Sequence, residues 1–138
     1  MKKWLLWLLT ALVSLVFIVA GMSKFASPEN LVAQLHALRL PVAGLFPWLA
    51  LWLPILEILL GVALWFKNWR TAAWLGILPL TILFSLVITW AWLRGLNVSC
   101  GCFGDVLHFS MPAALLRNVV ILAVGSWALC GSARRARD

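Results

Sequence analysis

The sequence predicts an all-α integral membrane protein, a bundle of four transmembrane helices with a short amphipathic surface helix between the first two. Of its 138 residues, 64% are hydrophobic and only 11% are charged, which is far from the composition of a soluble domain. Four apolar runs are also long enough to cross ~30 Å of hydrocarbon at a helical rise of ~1.5 Å per residue. They lie at about 4–22, 45–66, 71–93 and 112–130. A single membrane domain, 1–138, is therefore expected.

The first apolar run follows Lys2 and Lys3, as the apolar part of a secretory signal peptide would. Its length is nevertheless that of a membrane span. The sequence Lys24-Phe25-Ala26 after it places a lysine where a cleavage site requires a small residue. We therefore interpret this run as a retained transmembrane helix.

A surface helix is predicted between the first two spans. Ser27-Pro28-Glu29 combines a capping hydroxyl, a proline suited to a first helical position and an acid that favours the helix dipole. Leucines then recur at helical spacing, which predicts an amphipathic helix on the outer surface that ends at Pro41; they are Leu31, Leu35 and Leu38.

The distribution of cations predicts the orientation, because Lys and Arg in short loops favour the cytoplasmic side. Of the eleven cations, seven lie on the side of the termini: Lys2, Lys3, Lys67, Arg70, Arg134, Arg135 and Arg137. We expect cytoplasmic termini in a bacterial inner membrane, with the 94–111 connection on the periplasmic side. This sorting, with the basic tail on anionic lipid, explains the net charge of +7, so no nucleic-acid partner is expected.

The tryptophans support the same spans, because an indole ring with its polar N–H prefers the headgroup level. Six fall near the predicted inner ends of the spans: Trp4, Trp7, Trp65, Trp69, Trp74 and Trp127. Four fall near the outer ends: Trp48, Trp52, Trp90 and Trp92.

The main candidate for chemistry is Cys100-Gly101-Cys102, in a compartment where disulfides form. A disulfide that closes so small a loop stabilises a fold little, and its strain makes it labile, so exchange suits it better than support. Gly101 and Gly104 give the backbone freedom to bring the sulfurs together and let a partner approach. Cys130 lies ~27 Å from Pro112 along the fourth helix, at the opposite face of the membrane, and we expect it to be a small buried apolar residue.

Two other interpretations of the cysteine pair stay open. His108 and Met111 follow closely, and thiolate, imidazole and thioether ligands together suit a soft ion such as Cu(I). Alternatively, the pair is a tight turn in a non-catalytic assembly or scaffold subunit.

Glu57 is predicted to lie near the bilayer midplane, where an ionised carboxylate must be protonated or paired. With Pro54 and Gly61, it marks a break in an otherwise uniform apolar helix. Its role is either a proton relay or quinone anchor, or a hydrogen bond between helices. Its candidate partners are Lys24, Arg117 and Asn118; a cation near the thiols would also favour the attacking thiolate.

The residues singled out above resemble the MauE branch of the DoxX-like membrane proteins over nearly the whole chain. The resemblance rests on Gly21, Lys24, Phe25 and Pro28, on Pro54, Glu57 and Gly61, on Ser99-Cys100-Gly101-Cys102-Phe103-Gly104, and on Arg117-Asn118. The element Cys-Gly-Cys-Phe-Gly is its specific part.

This resemblance implies a four-helix membrane bundle that acts beside a thioredoxin-like periplasmic protein. The namesake of the family is needed to mature the disulfide-rich small subunit of methylamine dehydrogenase. The resemblance assigns the thiol pair to Cys100 and Cys102, and a polar membrane core to Lys24, Glu57 and Arg117. Electrons would pass onward to quinone or to another membrane protein. Quinone-linked thiol oxidoreductases of membranes relay electrons between two cysteine pairs, whereas this chain has one outward pair, so a single-pair relay or an assembly factor fits better.

Overall fold

The structure is a computed structural model that describes residues 2–37, 39, 41, 43–95 and 111–137. All regular secondary structure in these ranges is helical. The α-helices are α1 (Lys2–Ala26), α2 (Pro28–Ala37), α3 (Phe46–Ala63), α4 (Arg70–Leu93) and α5 (Met111–Arg137), and a short 3₁₀ turn (Ala43–Leu45) precedes α3. The predicted fold class is confirmed.

Three of the helices are long and apolar enough to cross a membrane, namely α1, α4 and α5 with 25, 24 and 27 residues. Helix α3 has 18 residues and is ~27 Å long, shorter than its predicted run of 45–66. After Ala63 the chain turns, and the N–H groups of Trp65 and Phe66 bond to carbonyls only three residues back. The apolar run predicted at 45–66 therefore includes part of the turn between α3 and α4.

Helices α1 and α5 are longer than predicted, because both continue beyond their apolar runs. Helix α1 includes Lys2 and Lys24, and α5 extends through its basic tail to Arg137. An apolar run ends where charged side chains begin, whereas backbone hydrogen bonding can continue into the headgroup region.

The predicted surface helix is present as α2. It begins at Pro28 with Glu29 in its first turn, as expected from the capping sequence. It ends at Ala37, before Pro41, and Arg39 has a left-handed φ of 49°. The helix thus stops at a backbone reversal and not at the proline.

The helices α1, α3, α4 and α5 alternate in direction, and α1 packs mainly on α3 while α4 packs mainly on α5. Helices α1 and α4 end, and α3 and α5 begin, at one end of the bundle, which we call the loop end because residues 96–110 connect there. The opposite end, which we call the cation-rich end, carries Lys2, Lys3, Lys67, Arg70, Arg134, Arg135 and Arg137. The described chain therefore has the asymmetry of charge that the sequence predicted.

An apolar core fills the bundle between α1, α4 and α5. Its buried residues are Val13, Phe17, Leu64, Ala73, Trp74, Ile77, Leu80, Ile121 and Val124. Trp74 lies near the cation-rich end of α4, as predicted, but its side chain is only 1% exposed and therefore faces the core and not the headgroups. Its ring packs against Gly125 of α5, where the absence of a side chain leaves room for it.

Helices α1 and α3 approach closely through a reciprocal pair of glycines. A Cβ atom on Gly21 would lie 2.6 Å from Cγ1 of Ile58 and 2.9 Å from the carbonyl oxygen of Pro54. A Cβ on Gly61 would lie 2.8 Å from Cγ1 of Ile18. Small residues permit such approach between membrane helices, whose association depends on packing and on polar contacts.

Most large apolar side chains on the outside of the bundle are exposed, as expected for a surface that lipid covers. Cys130 is exposed as well, so the expectation that it is buried is wrong. The buried face of α5 runs through Ala114, Asn118, Ile121 and Val124, and Cys130 is out of step with that helical repeat.

Replacing Gly21 by Ala should lower the free energy of unfolding by about 1–3 kcal/mol, because the added methyl group meets backbone that cannot rotate away. Unfolding of the purified protein in mixed micelles with increasing dodecyl sulfate measures this loss. Gly131→Ala is the matched control, since a Cβ there has no neighbour within 4 Å. Equal stability of the two variants would contradict the close helix contact.

Candidate functional site

A buried ion pair joins α1 to α3. The Nζ of Lys24, in the last turn of α1, donates to Oε1 of Glu57 at 2.6 Å, and the two side chains are 7% and 4% exposed. The same Nζ lies 5.0 Å from the centre of the Phe84 ring on α4. The cation thus contacts a carboxylate and an aromatic face, and both interactions are strong where water is excluded.

A second polar group joins α4 to α5. Asn118, which is 2% exposed, donates from Nδ2 to the Ser85 hydroxyl at 3.0 Å. Its Oδ1 accepts from Nη2 of Arg117 at 3.1 Å. Ser85 in turn donates to the carbonyl of Thr81 at 2.8 Å. The guanidinium of Arg117 is therefore linked through Asn118 to the polar face of α4.

These two polar groups face one small cavity. Its walls include Lys24, Glu57, Thr81, Arg117 and Asn118, and its volume is about 30 Å³. Such a space holds one or two water molecules, whereas a cavity that binds benzene is ~150 Å³. The cavity fits water near a carboxylate and two cations, and it does not fit the ring of a quinone.

The cavity lies in the half of the bundle nearer the loop end. Lys24 is two residues from the end of α1, and Arg117 is six residues, or ~9 Å, from the start of α5. Residues 96–110 connect α4 to α5 at this same end. The polar cavity is therefore on the side of the bundle from which the cysteine-bearing segment leaves.

The structure brings together Lys24, Glu57, Arg117 and Asn118, the four residues that the sequence predicted as a polar membrane core. Pro54 and Gly61 lie in the contact between α1 and α3, where the Gly61 carbonyl also accepts the Ser14 hydroxyl at 2.6 Å. The predicted thiol motif and one metal-ligand candidate lie outside the described residues; they are Cys100, Gly101, Cys102, Phe103, Gly104 and His108. Met111 begins α5, but its side chain is also outside the described part.

Sequence reasoning missed the contribution of α4 to this site. Thr81 is 2% exposed and lines the cavity, Ser85 binds Asn118, and Phe84 contacts Lys24. A signal was present, because Thr81, Ser85 and Thr89 recur every four residues on an apolar helix and each hydroxyl bonds to the carbonyl four residues before it. Such a repeat marks a polar stripe along one helix face.

Comparison with known proteins assigns the chain to a family. The family model "Methylamine utilisation protein MauE" matches residues 2–131. The chain belongs to the MauE family. Its three long apolar helices and this family make it a multi-pass membrane protein. No solved structure matches the chain significantly.

One relative of this MauE chain is Protein TlpB of Flavobacterium psychrophilum. The two are 26% identical over 122 residues, which cover 80% of this chain and 32% of TlpB. The chain therefore spans about a third of the length of this relative, and the match concerns only that part of TlpB.

Breaking the buried ion pair from either side should destabilise the bundle. Lys24→Met or Glu57→Leu alone should each lower the free energy of unfolding by about 3 kcal/mol, because each leaves one buried charge without its counter-ion. The double variant leaves neither charge, so its loss should be at least ~1 kcal/mol smaller than the sum of the two single losses.

The same micellar unfolding assay measures all three variants. Arg94→Met is the control, because Arg94 is an exposed cation that also lies over an aromatic ring, that of Trp90, at 4.4 Å. Additive losses in the double variant would contradict a coupled pair.

Proposed function

We propose that this MauE protein is a membrane-embedded thiol–disulfide relay or maturation factor in which Cys100 and Cys102 exchange with a thioredoxin-like periplasmic partner or with a disulfide-containing substrate protein. The observation that carries the proposal is the polar cavity with Lys24, Glu57 and Arg117 beneath the end of the bundle where the cysteine-bearing segment attaches. The resemblance of Cys-Gly-Cys-Phe-Gly to the family motif supports the same role.

The length of the connection limits how far the thiols can be from this cavity. Cys100 follows Gly95 by five residues, which span at most ~18 Å when fully extended. Cys102 precedes Met111 by nine residues. The pair is thus tethered to the loop end, which is the end of the bundle nearer Lys24, Glu57 and Arg117.

These charged groups bear on the chemistry, because the thiolate is the form that attacks a disulfide and nearby cations favour it. In one direction, the thiolate of one cysteine attacks a disulfide sulfur of the partner, and the departing partner sulfur takes up a proton. The second cysteine then resolves the mixed disulfide and loses its own proton. The partner gains two electrons and the pair becomes a disulfide; the reverse sequence oxidises a partner dithiol.

On the other side of the relay, electrons pass to another membrane protein or to a quinone bound away from this cavity. The cavity at Lys24 and Glu57 is too small for a quinone ring, so no electrons are routed through a quinone there. A quinone site elsewhere in the chain stays a prediction from the sequence. Within the cavity, Glu57 and one or two water molecules can carry a proton toward or away from the loop end.

The proposed location is a bacterial inner membrane with cytoplasmic termini. The excess of cations at the cation-rich end favours the cytoplasm for that end. The loop end, with Cys100 and Cys102, then faces the oxidising periplasm. The biological setting that the family suggests is methylamine utilisation, with maturation of methylamine dehydrogenase as the process served.

Two other classes remain as alternatives. A non-catalytic scaffold would use Cys100-Gly101-Cys102 as a turn, and a copper-handling protein would use the pair with His108 and Met111. Among the described residues no cluster of three or more His, Cys, Asp or Glu side chains can hold a metal ion, and the residues of the copper hypothesis fall outside that part.

Trapping a mixed disulfide distinguishes these classes. In a Cys130→Ser background, Cys102→Ser should accumulate a covalent adduct through Cys100 when the probe is a bacterial thioredoxin with a single active-site cysteine, activated as its thionitrobenzoate mixed disulfide. The Cys100 thiolate displaces thionitrobenzoate, and the adduct persists because neither protein has a second thiol to resolve it. A non-reducing gel detects the adduct, and a reductant should remove it. The variant without Cys100, Cys102 and Cys130 is the control.

An adduct no stronger than in that control would contradict the relay and favour the scaffold. His108→Ala and Met111→Leu should leave the adduct unchanged. Loss of bound copper in these two variants, measured by elemental analysis, would instead favour the copper hypothesis.

A further inference from the structure

A second and larger cavity lies at the cation-rich end, between α1, α4 and α5. Its volume is about 360 Å³, more than ten times that of the cavity at Glu57. Each of the three helices contributes one cation to its walls, namely Lys3, Arg70 and Arg135, and no residue among the described ones that line it is acidic. The described walls therefore concentrate positive charge.

One of these cations is held in place by the fold. Nε of Arg70 donates to the carbonyl oxygen of Leu64, just after the end of α3, at 3.1 Å. This bond fixes the guanidinium plane and leaves its two terminal amino groups as donors. A fixed guanidinium is suited to planar, two-point recognition of phosphate oxygens.

A buried tryptophan forms part of the cavity wall. Trp74 lines the cavity and is 1% exposed, and within the described part of the chain its buried Nε1–H has no hydrogen-bond partner. The Nε1 atom has almost no accessible surface, so a ligand in the cavity would meet the cations and the edge of the ring and not this N–H.

The remaining walls are partly apolar and partly hydroxylated. Leu6, Trp7 and Leu129 form apolar surface, while Thr71 and Ser132 add hydroxyl groups. Three cations and two hydroxyl groups, with apolar surface beside them, match the phosphate and glycerol region of a phospholipid. Basic pockets between membrane helices on the cytoplasmic side commonly bind anionic head groups.

We propose that this cavity binds a phosphate group, carried either by the head group of an anionic phospholipid or by a soluble phosphate compound. The site is separate from the thiol chemistry, and it does not depend on the proposed function. Bound there, the ligand would bridge α1, α4 and α5 and neutralise part of the charge that these helices bring together.

The chain offers a matched set of variants. Arg135→Gln removes a cation that lines the cavity, whereas Arg134→Gln removes its neighbour, which does not line it. Gly131→Leu keeps the net charge but puts a side chain into the cavity, and a Cβ at Gly131 meets no atom within 4 Å, so the helices need not move apart. A thermal unfolding curve of each purified variant verifies that it is folded.

Native mass spectrometry of the full chain in a non-ionic detergent, titrated with phosphatidylglycerol or phosphatidylcholine, counts bound lipids. Phosphatidylglycerol should bind in preference. Arg135→Gln should weaken its binding about fivefold, the effect of one cation near an anionic head group. Arg134→Gln should change it less than twofold, and Gly131→Leu should remove the preference.

Inorganic phosphate, added without lipid, distinguishes the two sources. If phosphate raises the unfolding temperature of the wild type but not of Arg135→Gln, and also displaces phosphatidylglycerol, the ligand is a soluble phosphate compound. If it does neither while the lipid binds, the ligand is the lipid head group. Equal weakening by Arg134→Gln and Arg135→Gln, or undiminished binding to folded Gly131→Leu, would overturn the site.

Discussion

The buried ion pair between Lys24 and Glu57 is the constraint on which the rest of the bundle depends. Two charges at 7% and 4% exposure lose most of their hydration, and they repay that cost only at close range and in good geometry. Their 2.6 Å contact requires α1 to lie against α3. Gly21 and Gly61 allow that approach, because each removes a side chain where the opposite helix passes.

The position of this pair also decides what the bundle can do. Helices α4 and α5 close over it with Phe84, Thr81, Asn118 and Arg117, and the space left between them holds water but not a cofactor ring. A small polar cavity in hydrocarbon can store a charge or move a proton. Because it lies toward the loop end, its field acts on whatever the connection between α4 and α5 carries, and that connection carries the thiol pair.

Sequence reasoning predicted the long helices and the residues of the polar core, because an apolar run and a charge within it are local signals. Glu57 had several candidate partners, and only the packing of α1 on α3 selects Lys24. The roles of Thr81 and Ser85 depend on which face of α4 meets α5. The burial of Trp74 and the exposure of Cys130 depend on helix rotation in the same way, which composition and spacing do not determine.

The most direct test of the central claim is the redox midpoint of Cys100 and Cys102 in intact membranes, measured by gel-shift alkylation with a reagent that cannot cross the bilayer, across a series of thiol buffers. A reversible midpoint at or above about −230 mV, in the range of exchange-active dithiols, is expected for the wild type. Arg117→Gln should make the midpoint more negative, because the reduced thiolate form loses the stabilisation that this cation gives it. Arg134→Gln, which removes a cation at the opposite end of the bundle, should leave the midpoint unchanged. Two results would contradict the coupling of the polar cavity to a redox-active pair: thiols that stay reduced in every buffer, or the same midpoint in Arg117→Gln as in the wild type.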